Sequence, residues 1–337
     1  MTALSGRARG RLAKILVGVA VSAALLVYLF WDVDLHEIGT RLANTHWGWL
    51  VASVVLNLAS LWVRAWRWHY LFPPGSRPSH LFSALMVGYL GNNVLPLRAG
   101  EIVRVYVASR RGQRFWTVLA TIVVERALDG LAVGLIVATL FLAIPIPAAL
   151  RWPAILFLSA DLVAMIILAV LAFAPERCVT LVRALFHRWG GIERRLMTIL
   201  GAMREGLEGI RTSHHAVPIL LSSAGIWLLL AVAMWTALRA ATLHLPTAAS
   251  WTLLAFLGLG VSLPSSPGFV GVVQAAVVLA LTLFAVPRTD ALSFSLLLHA
   301  SQFFPVTLGG LGFLLVEHVS LSEATRATAA PVPSPQP

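Results

Sequence analysis

The sequence predicts an all-α integral membrane protein with six spanning helices and two broken re-entrant hairpins, arranged as an inverted structural repeat. Three observations lead there. Of the 337 residues, 58% are hydrophobic and only 12% are charged, about half the charged share of a soluble domain. Six segments reach the roughly 20 apolar residues that a helical span needs: 13–31, 47–68, 116–144, 152–174, 217–239 and 290–317. Two further apolar regions, 80–110 and 248–286, are each interrupted in the middle by Pro and Gly. No soluble domain of ordinary size fits between them, so 1–317 reads as a single membrane domain, with one repeat over 12–144 and the other over 152–317.

The first segment opens with "RARGRLAK" and closes on "YLFWDVD". It lacks a small-residue cleavage site, so an uncleaved anchor is expected rather than a signal peptide. A short amphipathic connector, Asp32–Trp47, leads into the second span. Trp47 and Trp49 begin that span and Trp62, Trp66 and Trp68 end it, the pattern of aromatic anchors at a membrane interface. Span three carries Glu125, Arg126 and Asp129, and span four carries Asp161 with no evident partner. In 191–211, Ile192, Leu196, Ile199, Leu200, Met203, Leu207 and Ile210 recur at helical spacing opposite Arg and Glu, which reads as a helix in the cytoplasmic interface. In span six, His299 and Gln302 read as partners in interhelical hydrogen bonds, like Asn57 and Gln274. No second His or Cys has ligand spacing, so neither metal nor cofactor is expected. Cys178 is the single cysteine, and 318–337 is small, polar and Pro-rich, as a disordered tail is.

The net charge of +11 is a topological signal. With the N-terminus inside and the broken regions re-entrant, nineteen Lys and Arg fall on cytoplasmic ground against four outside (Arg41, Arg151, Arg239 and Arg288). This bias places both termini in the cytoplasm and the loop near Pro145–Arg151 outside, in the cytoplasmic membrane. Nucleic acid is excluded as a partner.

The two broken regions share Leu-Pro-x-x-x-Gly: Leu95, Pro96 and Gly100 against Leu263, Pro264 and Gly268, an offset of 168 residues. The same offset lays span two over span five. Three spans per half is an odd number, so the halves enter the membrane in opposite senses, the pattern of an inverted-repeat transporter. Pro96 disfavours helix at Leu95 and starts a new helix through Gly100–Val107; Pro264 and Pro267 do the same before Gly268–Ala285. Each break leaves unpaired carbonyls on one side and unpaired N–H groups on the other, which suits an anion near the midplane.

Ionisable groups at membrane depth are costly and suggest function. Arg98, Glu101 and Arg104 alternate in sign at i, i+3, i+6. Either they form a self-neutralising cluster that pins the hairpin, or Arg98 and Arg104 grip a phosphate while Glu101 holds their guanidinium planes. Glu125, Arg126 and Asp129 read first as an ion-pair network with that hairpin and second, with Asp161, as a coupling site.

"GNNVLPLRAGEIVRVYV", "VVERALDGL" and "LPSSPGFVG" together resemble the flippase-like membrane family that includes the transmembrane domain of lysylphosphatidylglycerol synthase. The resemblance covers about 12–317 and implies a protein that moves a lipid, or a lipid-linked headgroup, between leaflets. It carries over Arg67, Trp68, Asn92, Asn93, Pro96, Arg98, Gly100, Glu101, Arg104, Glu125, Arg126, Asp129, Pro264, Pro267, Gly268 and Gly271. Family members often have an acid shortly after the second break, where this chain has Gln274. Synthase members also append a soluble aminoacyl-transfer domain, whereas this sequence ends after span six, so the resemblance implies the translocating half alone.

The expected function is translocation of an anionic lipid or lipid-linked headgroup. The headgroup would be held by Arg98, Arg104, Glu101, Asn92, Asn93 and Arg67 at the first break and by Ser265 and Ser266 at the second. Rival readings are a secondary transporter of a small anion, a membrane-embedded transferase, and a scaffold for a lipid-synthesis enzyme. No acid/His pair suggests an enzyme. Beyond the lipid, the candidate partners are a second copy of the chain or a lipid-biosynthesis enzyme.

Overall fold

The structure is a computed structural model that describes residues 6–31, 33–76, 78–95, 99–143, 148–262, 266–319 and 323. These residues form helices and no strands. In chain order the helices are α1 (Gly6–Phe30), α2 (Leu35–Ala43), α3 (Trp47–Leu71), α4 (Leu81–Val94), α5 (Gly100–Arg110), α6 (Phe115–Ala143) and α7 (Ala148–Phe173). They continue with α8 (Pro175–Phe186), α9 (Gly190–Arg211), α10 (Ser213–Ala240), α11 (Thr247–Ser262), α12 (Val272–Thr282) and α13 (Arg288–Val316), and a 3₁₀ turn, Pro267–Phe269, stands between α11 and α12. Of the residues singled out above, Asp32, Pro96, Arg98, Pro145, Leu263, Pro264 and Ser265 lie outside the described residues, as does most of the 318–337 tail.

Each of the six apolar segments is one long helix of 25–29 residues (α1, α3, α6, α7, α10 and α13). Among the described residues, Trp47–Leu71, His214–Ala240 and Arg288–Val316 have the length and unbroken apolarity of a span. Counting the sharply bent pairs α1–α2 (87°) and α7–α8 (106°) as one span each brings the number to five. Helix α6 is long enough but carries Glu125, Arg126 and Asp129 in its interior.

Helices α3 and α10 form the central pair and run antiparallel. Ser53 donates to the Ala233 carbonyl (2.8 Å) and Trp49 meets Trp235 edge-on at one end, while His215 Nδ1 lies 2.9 Å from the Tyr70 carbonyl at the other. One apolar core gathers the end of α3 with α4, α5, the start of α6, α7 and α9; a second gathers α10, α11, α12 and the first half of α13.

Both broken regions fold back on themselves. In the first, α4 and α5 approach at backbone distance: a Cβ on Gly91 would stand 2.8 Å from the Gly100 Cα, and one on Gly100 would overlap the Gly88 carbonyl and the Asn92 nitrogen. The second restarts later than the sequence predicts, at Val272 rather than Gly268. Both Gly268 (φ 68°) and Gly271 (φ 84°) adopt the left-handed conformation that glycine tolerates best, so the chain turns twice before the helix begins. The two breaks meet, because Pro267–Phe269 packs on α4, and a Cβ on Gly268 would lie 3.4 Å from the Asn93 carbonyl.

The amphipathic segment 191–211 is helix α9, packed on α6 and α7 with Leu207 fully buried. Its predecessor α8, not anticipated from the sequence, opens with Pro175 in its first turn, where no N–H is needed. Two readings of the sequence need correction. Trp47, Trp49, Trp62 and Trp66 are exposed as anchors are, but Trp68 is 0% exposed and belongs to the core. Arg64, Arg67 and Arg104, counted from the sequence as solvated charge, are buried within the protein.

Candidate functional site

Four arginines and three carboxylates converge where α3, α5 and α6 meet. On α3, Arg64, Arg67 and Trp68 stand at i, i+3, i+4, and so on one face. On α6, Glu125 and Asp129 stand at i, i+4 and face them. Arg104 on α5 binds Glu125 through both carboxylate oxygens (Nη1–Oε1 3.0 Å, Nη2–Oε2 2.6 Å). Arg67 donates to Asp129 (2.8 Å) and to Ser223 of α10 (3.0 Å). Arg64 bridges the two acids, bonding Asp129 and lying 3.4 Å from Glu125.

The Arg104 guanidinium also stacks 3.6 Å above the Trp68 ring, a placement that desolvates the cation while the aromatic quadrupole partly compensates it. Trp68 is itself held by its indole N–H donating to Thr121 (2.9 Å). Arg67 and Glu125 are both 0% exposed. Buried charges persist only when paired and hydrogen-bonded, and here each acid receives several guanidinium donors.

Two members reach the surface. The Arg126 side chain is 44% exposed and the Glu101 side chain 31%. Arg126 donates to Glu125 (2.6 Å) and lies 3.7 Å from Asp129 and 3.9 Å from Glu101. Arg104 is 4.0 Å from Glu101, so its firm partner is Glu125. Four guanidinium groups thus face three carboxylates, one positive charge in excess, and the Nε atoms of Arg64, Arg67 and Arg104 are buried without a protein acceptor.

The asparagines named from the sequence act as fasteners. Asn92 accepts the Gly100 N–H (3.0 Å), capping α5 from the neighbouring helix, and Asn93 donates to Thr307 of α13 (2.9 Å). Ser266 donates its N–H to Ser22 of α1 (3.2 Å). Asp161 has no ion or hydrogen-bond partner among the described residues, and its carboxylate presses on α6 where Gly130 leaves room for it. His299 and Gln274 do hydrogen-bond between helices (2.9 Å).

A cluster with no counterpart in the sequence reading lies at the far end of the first hairpin. Glu317, buried after α13, accepts from Arg111 (2.9 Å) and Ser83 and lies 3.4 Å from His80, tying both hairpin ends to α13. Arg64 was also missed, although its i, i+3 spacing to Arg67 against Glu125/Asp129 was a usable signal. No group of three or more His, Cys, Asp or Glu with metal-holding geometry occurs among the described residues.

Fold and site together define a multi-pass helical membrane protein with an arginine–carboxylate network buried beside a broken hairpin. The chain belongs to the lysylphosphatidylglycerol synthase TM region family, whose model matches residues 15–310. Neither the curated proteins nor the solved structures give a match. Membership ties the protein to lipid handling.

Proposed function

We propose that the protein moves an anionic lipid, or a lipid-linked headgroup, across the cytoplasmic membrane, and that the headgroup docks on Arg126 at the rim of the buried network. The observation that carries this reading is the excess cation. A structural network has no need of a fourth guanidinium on three carboxylates, and the one left most exposed is a planar fork suited to phosphate oxygens. Glu101, loosely held beside it, orients the fork. Arg98, three residues before Glu101 in the sequence, is proposed as the second grip. Arg104 and Arg67 serve by positioning, since both are committed to carboxylates.

An alternating-access mechanism is proposed on an inverted repeat of six spans, with both termini cytoplasmic. Supporting it, the offset of 168 that relates the breaks also relates α3 to α10, and these lie antiparallel, as a two-fold axis in the membrane plane requires. Helix α4 packs on α13 as α11 does on α6, and α9 packs on α6 as α2 does on α13. The protein acts in this reading as a carrier rather than an enzyme, alone, as a homo-oligomer or beside a lipid-biosynthesis enzyme.

The test is reconstitution in vesicles with an acyl-labelled fluorescent phosphatidylglycerol and an impermeant quencher. The wild type is expected to make the inner-leaflet half of the label accessible, and Arg126→Ala to abolish this with normal yield of folded protein. Uptake of free phosphate without lipid movement would replace the flippase reading by the small-anion transporter.

A further inference from the structure

The second break is closed by a circuit of three hydrogen bonds whose directions are all determined. The Gly271 N–H donates to Gln274 Oε1 (2.7 Å). A backbone N–H only donates, so the amide oxygen must face it, and this turns Gln274 Nε2 toward His299 Nδ1, 2.9 Å away. Nδ1 must therefore accept. The ring proton then resides on Nε2, which donates to the Gly268 carbonyl (2.8 Å). The circuit thus clasps Gly268 and Gly271, the first and last of the three left-handed residues (with Phe269) at which the chain reverses.

We propose that His299 is a proton-binding site whose occupancy unfastens the second break. A proton on Nδ1 sets two N–H donors face to face. Gln274 can answer only by turning its amide, which then presents its NH₂ to the Gly271 N–H and moves the conflict there. No arrangement of these groups satisfies both donors, so the charged imidazole opens one of the three bonds.

Among the described residues, no acid pairs with His299 to absorb the charge. Helix α12 and Pro267–Phe269 contain no charged residue. Of the charged or titratable groups on other elements against α13, Arg64 and Arg67 of α3 are bound to Asp129 and Tyr89 of α4 lies within electrostatic reach of Arg64. Arg41 of α2 pairs with Glu37 and with Asp290 at the start of α13, and His80 and Arg111 pair with Glu317 at its far end. The immediate neighbour of His299 on its own helix is the Phe303 ring, edge-on at 5.8 Å.

Unfastening is felt at the first hairpin, because Gly268 is wedged between Phe303 and the Asn93 carbonyl. The proposal does not depend on whether the solute is a lipid or a free anion. It supplies the coupling ion for either.

The experiment is hydrogen–deuterium exchange on the full chain in phosphatidylglycerol-containing nanodiscs, following 266–275 with rates corrected for intrinsic exchange. Between about pH 8 and pH 5, the range in which histidine titrates, protection of this segment should fall by about tenfold or more while the α3–α10 pair is unchanged. Gln274→Glu separates this cause from general loosening. Its carboxylate accepts from the Gly271 N–H with one oxygen and from a protonated Nδ1–H with the other, so protection should hold or rise as pH falls. Flat protection in the wild type across this range overturns the proposal, and so does a pH dependence that Gln274→Glu leaves unaltered.

Discussion

The two breaks begin from the same Leu-Pro-x-x-x-Gly, and in each a side-chain amide oxygen accepts a glycine N–H, Asn92 from Gly100 and Gln274 from Gly271; what fastens the break beyond that amide differs. The first is held by charge: Arg104 on the hairpin is gripped bidentately by Glu125, which Arg64 and Arg126 also approach. The second is held by a neutral circuit of amide, imidazole and backbone, with no charge on the turn or on α12. The difference teaches that such a motif can preserve where the backbone is interrupted, and the amide that meets it, without preserving what fastens the break to its neighbours. Each interruption leaves unpaired backbone groups, and in each an amide takes up one of them, so the remaining side chains are free to differ. The charged set adds the surplus cation on which the proposed anion site rests. A neutral set adds a closure that one proton can upset.

The comparison is most severely tested at Glu125. Glu125→Gln keeps its shape but leaves the buried guanidinium of Arg104 without its carboxylate, and a broken buried pair costs about 3–5 kcal/mol. The neutral break should respond less: Gln274→Leu strands the Gly271 N–H and one imidazole nitrogen, for about 1–3 kcal/mol. Chemical or thermal denaturation in one detergent, read by tryptophan fluorescence, ranks the two. Equal losses would remove the distinction between a charged and a neutral fastening.

A smaller effect separates the two glycines. In Gly100→Ala the methyl group meets backbone atoms of Gly88 and Asn92, which have nowhere to go, and overpacking of this kind costs typically 1–3 kcal/mol, at the upper end here. In Gly268→Ala the close neighbour is the edge of the Phe303 ring, which can rotate, leaving mainly the left-handed backbone penalty of about 1–2 kcal/mol. Yield of monodisperse protein after mild heating should therefore fall further for Gly100→Ala. The reverse order would mean that the second break, not the first, is the tighter of the two.

Smallest are the asparagines. Asn92→Ala removes the cap on α5 and Asn93→Ala the bond to Thr307, each for about 1 kcal/mol. Both variants should remain folded and differ in exchange protection locally, at Gly100 for the first and around Thr307 for the second. A loss of lipid movement out of proportion to these shifts would show that the amides also touch the headgroup.

What the sequence determined by itself is what hydrophobicity and backbone chemistry dictate locally. Six apolar runs became six long helices, and the two Pro/Gly interruptions became breaks, because a bilayer and a proline each act on the residues beside them. Glu125 and Asp129 were legible as one face of α6 by their spacing alone. Which cation each would meet was not. Arg64 and Arg67 sit near the end of an apolar segment, where sequence reading puts solvated, topology-setting charge, and only the crossing of α3, α5 and α6 turns them inward. Trp68 likewise has the composition of an interface anchor, yet the same crossing lays it under Arg104. The pairing of Arg104 with Glu125 rather than Glu101, three residues away on its own helix, was settled by distance across helices: 2.6 Å against 4.0 Å. Ion pairing and hydrogen bonding act over a few ångströms in space, so partners far apart in the chain become partners only when the helices are packed.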